Sequence, residues 1–482
     1  MLQHKDINKI SELKNGFTPK WFEPDFISCS LKCFSFSSLC RVVSDVKVRG
    51  YQFEWIMTIL LSLPFIDTST VHSMLNGCVK YQIEASKDTF YRFKNNPGVC
   101  WRMVLWLFAT KFKGLTNSSF DGNTKPRCMI FDDTLIEKTG KHIEKVSRVW
   151  DHVSQKALLG FKLLLMGYWD GTSLIPLDFS LHREVGQNKE KPFGLKKKEL
   201  KKQYNKKRER GSPSIEWAEE ADTSKIDCAI KMFRRAISMG FKVDYVLIDS
   251  WFTCDAFVNA VLSVKKQTVH LIGMYKIAKT KFLYQGKVYT YSQIRNLTGK
   301  AKRCRKLGMY YTEGLVEFKN KPVRLFFSKQ GKNGKWKVLL CTNTQLSFIQ
   351  MIELYQTRWT IEVFFKESKQ LLGLGKCQSN DFDAQIAEAT LTMIQHILLT
   401  LRYRVENYES MPGLFSEIKE ATIQQRLDQR LWGLFIELVQ IIESLLDGAD
   451  EQELLERIFQ NEKAHEQIAR LLGDSRRFYI AA

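Results

Sequence analysis

Two short apolar runs in this chain each stop abruptly at an aspartate: RCMIFDDT, residues 127–134, and VDYVLIDSWF, residues 243–252. Both read as buried strands. The segment before the second, DTSKIDCAIKMFRRAISMGFK, has helical spacing, with Asp222, Thr223 or Ser224 as its cap and Gly240 as its stop. Helix, apolar strand, then a carboxylate at the strand's C-terminal end is an α/β arrangement. Between the two runs, FKLLLMGYWDG (161–171) and SLIPLDFSLH (173–182) read as strands joined by a turn at Asp170 and Gly171. With the first run they suggest an antiparallel meander.

The flanking regions differ in character. Residues 1–120 read as mainly helical, with FEWIMTILLSL and GVCWRMVLWLFATKFK apolar at helical spacing. Between them SKDTFYRFKNNPG starts a helix at Ser86 or Asp88 and ends it at Asn95–Gly98. This region fits a small DNA-binding domain, or equally a helical lid or dimerisation arm. From about 268 to 345 the pattern is β: VHLIGMYK, KFLYQGKVYTY, VRLFFSK and WKVLLCTNT. Residues 349–372 read as one long helix ended by Gly373, and DAQIAEATLTMIQHILLTLRYRV as another. The remainder is helical, and its LWGLFIELVQIIESLL segment fits a dimer contact or a capping helix.

Charge narrows the partners. The 482 residues carry a formal net charge of +21 with a pI near 9.4. A large folded chain so basic usually meets a polyanion, although charge alone does not choose DNA over RNA or a membrane surface. Residues 275–337 hold seventeen Lys or Arg against two Glu, and 189–210 hold eleven against three. The second run reads as a solvated, mobile loop that can also track phosphates. A hydrophobic content of 44% excludes a disordered chain. Eleven scattered cysteines without CxxC or zinc spacing argue for reduced thiols. The N-terminus has no apolar signal core and no apolar run is long enough to span a bilayer, so a soluble, intracellular protein is expected.

A third acid completes a candidate site. Tyr355, Arg358, Glu362 and Lys369 follow the spacing Y-x2-R-x3-E-x6-K, which keeps all four on one helical stripe, and Lys366 shares it. Asp132, Asp249 and Glu362 together would offer hard oxygen ligands to Mg²⁺ or Mn²⁺, with Tyr355, Arg358, Lys366 and Lys369 free to hold phosphates. The plainer readings are strand-end turns for the aspartates and i,i+4 ion pairs Arg358–Glu362–Lys366 for the helix. Asp132 and Asp133 face opposite ways in a strand. Asp132, the first acid after the apolar run, is preferred, with Asp133 in a supporting or turn role. Lys138 and Lys141 follow on a polar loop.

These motifs resemble those of the bacterial insertion-sequence transposases of the DDE class, specifically the YREK-signature group. YQTRWTIEVFFKESKQLLGL is similar to the signature helix. FDDTLIEKTGK and VLIDSWF resemble the two aspartate motifs, and SNDFDAQIAEATL and SKDTFYRFKNNPGVCWR resemble flanking segments. The resemblance covers most of residues 86–400. It implies a ribonuclease-H-like α/β catalytic core interrupted by a β-rich insertion, with helical N-terminal and C-terminal regions. The expected division is 1–120 DNA-binding, 121–265 and 348–410 catalytic core, 266–347 insertion, and 411–482 a helical C-terminal region. It implies two Mg²⁺ ions, replaceable by Mn²⁺, on Asp132, Asp249 and Glu362, and contacts of Tyr355, Arg358 and Lys369 with DNA near the cut. Trp336 is the candidate for stacking on a flipped base, with Val338 as the other possible counterpart. The implied activity is cut-and-paste transposition. Phosphodiester hydrolysis at the element ends, often through a hairpin, leaves a 3′-OH that then attacks target DNA. The implied partners are double-stranded terminal repeats and target DNA, held by a homodimer at the nucleoid. A catalytically silent protein that only holds element ends, and a nuclease without strand transfer, are the alternatives.

Overall fold

The computed structural model describes residues 25–41, 50–66, 70–76, 83, 85–117, 125–275, 280–405 and 408–423. The expectations for the first 24 residues and for LWGLFIELVQIIESLL lie outside the described residues. The leading helices are α1 (Asp25–Cys33), α2 (Phe36–Arg41), α3 (Phe53–Ser62), α4 (Val71–Asn76), α5 (Lys87–Lys94) and α6 (Trp101–Asn117). Both apolar segments singled out between 53 and 116 are therefore helical.

The chain divides into two compact units. The first comprises residues 1–33, 51–90 and 408–482. Its described part is α-helical, and aromatic rings bind it across long sequence separations. Phe26 meets Phe65 at 5.0 Å between ring centroids, and Phe65 meets Phe415 at 5.4 Å. The second comprises residues 34–50 and 91–407 and carries the sheet.

Twelve described strands form that sheet: β1 (Cys128–Glu137), β2 (Ser147–Asp151), β3 (Lys156–Trp169), β4 (Leu174–His182), β5 (Tyr245–Ile248), β6 (His270–Tyr275), β7 (Lys281–Tyr284), β8 (Lys287–Thr290), β9 (Lys302–Cys304), β10 (Met309–Phe318), β11 (Lys321–Gln330) and β12 (Lys337–Cys341). β3 organises one side. One edge of it pairs antiparallel with β1 from Gly160 to Trp169, while the other pairs first with β2 and then with β4. Gly160 marks the crossing point, opposite both Glu137 and Ser147. A Cβ there would stand 2.1 Å from the Ile136 carbonyl oxygen, so only glycine fits. The other edge of β1 pairs parallel with β5, and β5 parallel with β6. β12 then joins β6 antiparallel, and β11, β10, β7 and β8 extend the sheet outward.

The expected meander is present in β1, β3 and β4, with β2 inserted. One expectation is corrected. β1 does not stop at Asp132 but runs on to Glu137, because the antiparallel ladder to β3 pairs backbones whatever side chains they carry. The longer of the remaining helices are α7 (Pro213–Glu220), α8 (Lys225–Ser238), α9 (Asp255–Leu262), α10 (Phe348–Gln356), α11 (Trp359–Gln370) and α12 (Phe382–Val405). α8 packs on β3 and β4, α10 on β6, and α11 on β1. Ser224 caps α8, accepting the Asp227 amide, and Gly240 at φ 80° follows its end. The expected single helix over 349–372 is two. At Thr357 and Arg358 the backbone stays helical but bonds i to i+3, as in Arg358 N–H to Tyr355 O (3.0 Å) and Ile361 N–H to Arg358 O (3.2 Å).

The basic run 189–210 is not wholly a solvated loop. Lys206 donates to Asp381 Oδ2 at 2.9 Å and to the Asn95 carbonyl. Arg208 forks onto Glu144 at 2.7 and 2.8 Å and reaches Asp383 at 3.0 Å. Those acids are buried and come from distant elements, so local charge density does not reveal them. The described cysteines are free thiols, and no helix among the described residues is long and apolar enough to cross a membrane.

A second buried ionic cluster ties helices to β4. Asp178 is fully buried and accepts Arg102 Nε at 3.0 Å and Arg235 Nε at 2.9 Å. Arg102 Nη2 also donates to Glu220 at 2.6 Å, and its guanidinium lies 4.0 Å from the Trp217 ring centroid. Removing the central anion leaves two guanidinium groups partly uncompensated in a dry site. Asp178→Ala should therefore destabilise the second unit by about 3–5 kcal/mol. Urea unfolding followed by circular dichroism checks this, and an unchanged midpoint would show the cluster to be energetically idle.

Candidate active site

The parallel register of β1 and β5 ends at Phe131 opposite Ile248. Asp132 and Asp249 therefore occupy the next rung, where β5 ends and β1 continues. Asp249 is fixed by its own turn: its Oδ1 accepts the amides of Trp251 (2.9 Å) and Phe252 (3.2 Å), and Thr253 Oγ1 donates to its carbonyl at 2.7 Å. That turn lies tightly on β6. A Cβ on Gly273 would come within 2.3 Å of Thr253 Oγ1.

Glu362 arrives on α11. Arg358, at the joint preceding that helix, reaches both sides of the site. Its Nη1 donates to Asp132 Oδ2 at 2.8 Å and its Nη2 to Glu362 Oε1 at 2.6 Å. One guanidinium thus links two of the three acids directly, while Asp132 Oδ1 accepts the Asp133 amide at 2.8 Å. The expected Arg358–Glu362 ion pair is formed, and Lys366 is exposed. Tyr355 anchors α10 to the end of β5, its hydroxyl donating to the Ile248 carbonyl at 3.1 Å. Lys369 donates to Thr134 Oγ1 (2.7 Å) and to the Leu135 carbonyl (2.9 Å), farther along β1. Trp336 immediately precedes β12, with the Arg295 guanidinium 3.9 Å and the Lys329 ammonium 5.1 Å from its ring centroid. Val338 is buried inside β12, opposite Tyr275 and Phe327.

Strand alternation separates the two adjacent aspartates. Asp132 meets Arg358 from the α10–α11 joint, whereas Asp133 meets Lys225 from α8 and has Lys162 Nζ at 3.7 Å. Sequence reasoning missed both lysines. The only local signal for Lys225 was its place in the first turn after the Ser224 cap. That turn is held from below by His182 on β4. Its Nδ1 lies 3.1 Å from the Thr223 carbonyl and its Nε2 2.6 Å from Ser180 Oγ. A carbonyl only accepts, so Nδ1 carries the proton and Nε2 accepts from Ser180. Burial keeps this imidazole neutral, pulling its pKa down to about 4. Lys138, expected on a polar loop, is instead buried and donates to the carbonyls of Gly375 (2.7 Å) and Cys377 (2.8 Å). It ties the end of β1 to the loop after α11.

Burial dominates the electrostatics. It pushes Asp132 up to about 7 against the pull of Arg358, and the nearby charge of Asp249 adds to the rise. Burial also raises Asp249, offset by the two turn amides and reinforced by Asp133. It lowers the Lys369 ammonium and pushes the Tyr355 phenol up to about 12. A cation beside these two carboxylates would favour their charged forms. Their hard oxygen donors fit Mg²⁺ or Mn²⁺. Among the described residues, however, no three acidic, His or Cys side chains are grouped closely enough to hold a metal as they stand. The guanidinium of Arg358 spans Asp132 and Glu362, bonded to both.

No curated protein matches the chain. A family model described as DDE superfamily endonuclease matches residues 56–273, and one described as Transposase DDE domain matches residues 215–398. The first includes Asp132 and Asp249, the second Asp249 and Glu362. The mixed α/β sheet with flanking helices is consistent with a DDE nuclease fold, and the two matches together support a DDE-class transposase and a nuclease-type enzyme.

Proposed function

We propose that this chain is a cut-and-paste transposase of the YREK-signature group. In this reading Asp132, Asp249 and Glu362 are the residues that hold two divalent ions. The observation that supports it is a chain of links among three acids from distant parts of the sequence. The β1–β5 register sets two of them on one rung, and a single guanidinium joins one of these to the third. The strand order β4-β3-β1-β5-β6, antiparallel on one side of β1 and parallel on the other, supports a ribonuclease-H-like core. Bound divalent ions would supply an activated water and stabilisation of the leaving oxygen at a phosphodiester.

The chain's own groups then divide the remaining work. The Asp249 turn holds one carboxylate rigidly at the end of β5. Tyr355 sets the angle of α10 by its bond to Ile248, and so places Glu362 one turn beyond the joint. Lys225 and Lys162 satisfy Asp133, which leaves Asp132 as the acid directed toward α11. Arg358 and Lys366, four residues to either side of Glu362, are placed to grip phosphates of the strand being cut. The exposed lysines and arginines of β7, β8 and β9 and of the turn after β9 provide sequence-independent hold on the duplex.

Asp249→Ala should lower Mg²⁺-dependent cleavage of element ends by about 10³-fold or more, while leaving binding of the same ends within a few-fold. Gel assays of nicking and of binding on one preparation check this. Cleavage equal to that of the unmodified chain would overturn the assignment, and absence of any cleavage in both would favour a silent end-binding protein. Duplex binding should also weaken steeply with salt. Replacing the exposed Lys302, Arg303 and Arg305 by alanine should reduce the slope of log K against log salt by up to about three. An unchanged slope would take that surface out of the DNA path.

A further inference from the structure

We propose that Arg358 is a displaceable internal counter-ion, which keeps divalent metal off Asp132 and Glu362 until a DNA phosphate draws its guanidinium away. This rests on the reading of the three acids as the metal site, and adds an order to its assembly: DNA first, metal second.

The geometry allows little else without DNA. Arg358 commits its two terminal nitrogens to different carboxylates, at 2.8 and 2.6 Å, rather than forking onto one. The two oxygens it takes, Asp132 Oδ2 and Glu362 Oε1, belong to carboxylates that would hold the ions. A guanidinium is never deprotonated in a protein, so it leaves by moving, not by losing charge. A second cation entering beside it would meet repulsion at short range in a half-buried site. The partners are unevenly exposed, with side-chain accessibility of 15% for Arg358, 19% for Asp132 and 34% for Glu362. The bridge is therefore open to solvent on the Glu362 side, the side on which exposed Lys366 follows one helical turn later. A phosphate arriving there meets Lys366 first and offers Arg358 two coplanar oxygens, the acceptor geometry that a guanidinium fork fits best. Rotation about the side-chain bonds of Arg358 suffices, because the residue sits at the helix joint with its backbone already tied by i to i+3 bonds. Once the fork turns to phosphate, both carboxylate oxygens are released together.

The consequence is thermodynamic coupling. If DNA strengthens metal binding, metal strengthens DNA binding by the same factor. In the cell this would hold a DNA-cutting site without metal, and so inert, except where a strand is already seated.

The test is Mn²⁺ affinity, read by electron paramagnetic resonance of the free ion, on the full chain with and without a duplex ending at the pre-cut element terminus. The unmodified chain should bind Mn²⁺ weakly alone, and at least about tenfold more tightly with the duplex. Arg358→Gln should bind Mn²⁺ about tenfold more tightly than the unmodified chain in the absence of DNA, and gain little from the duplex. Arg358→Lys, which keeps the charge but lacks the two-nitrogen fork that now reaches Asp132 and Glu362 separately, should fall between; it also serves if Arg358→Gln does not fold. Equal DNA-free affinities in all three chains, or an equal gain from the duplex in all three, would overturn the proposal. Asp249→Ala separates this from the underlying reading. If that change leaves Mn²⁺ binding intact, the three acids are not the metal site and the functional assignment itself fails. If it abolishes binding while Arg358→Gln changes nothing, the assignment stands and only the gate is lost.

Discussion

The parallel pairing of β1 with β5 is the constraint on which the candidate site depends. Four apolar residues on each strand, Cys128–Phe131 and Tyr245–Ile248, lie rung against rung in the middle of the sheet. Such pairing fixes register strongly, because a one-residue slip would turn every side chain to the wrong face. Once it is fixed, the first residue beyond each run is fixed as well, and in both cases that residue is aspartate. β5 ends there and turns, with Gly273 on β6 leaving room for the turn, while β1 goes on because β3 still pairs with it. The site thus lies where a ladder that holds on one edge of β1 gives out on the other.

Much of this was legible in the sequence for a definite reason. Both aspartates directly follow uninterrupted apolar runs, and Arg358 and Glu362 are four apart on a helix, so their pairing needs only local geometry. What was not legible depends on partners far along the chain. The continuation of β1 through Asp133, Thr134 and Leu135 is set by β3, about 30 residues later, through a backbone ladder that leaves no periodic mark. The tightening at Thr357 and Arg358 has no proline or glycine to announce it. Lys138 looked like a surface residue because its acceptors, the carbonyls of Gly375 and Cys377, carry no side-chain signature.

Counting basic residues conceals a division of labour among them. In the run 189–210, Lys141 reaches in to pair with half-buried Glu199, and neighbouring lysines stand in solvent. Lys206 and Arg208 instead point inward to a buried set of acids, Glu144, Asp381 and Asp383. Those internal pairs contribute nothing to a field that attracts DNA, yet they brace the loop from which the outward lysines project. The excess positive charge therefore has two uses that composition cannot tell apart: some cations hold the fold, and others remain for a polyanion.

Arg102 and Arg358 show how burial separates these uses. Both bridge more than one carboxylate through short hydrogen bonds. Around Arg102, the acceptor Asp178 is entirely shut from water and Glu220 almost so, and a tryptophan ring covers the guanidinium. A further partner of Arg102, Glu216, faces solvent, but breaking the bonds to Asp178 would strand charges in a dry interior. Around Arg358 the acceptor Glu362 reaches the surface, so a phosphate can approach the guanidinium without unfolding anything. The same chemistry serves as a rivet where solvent is excluded and as a replaceable ligand where it is not. In the proposed reading, that difference in access is what allows a strongly basic protein to keep its catalytic acids paired at rest and still present them to metal when DNA is bound.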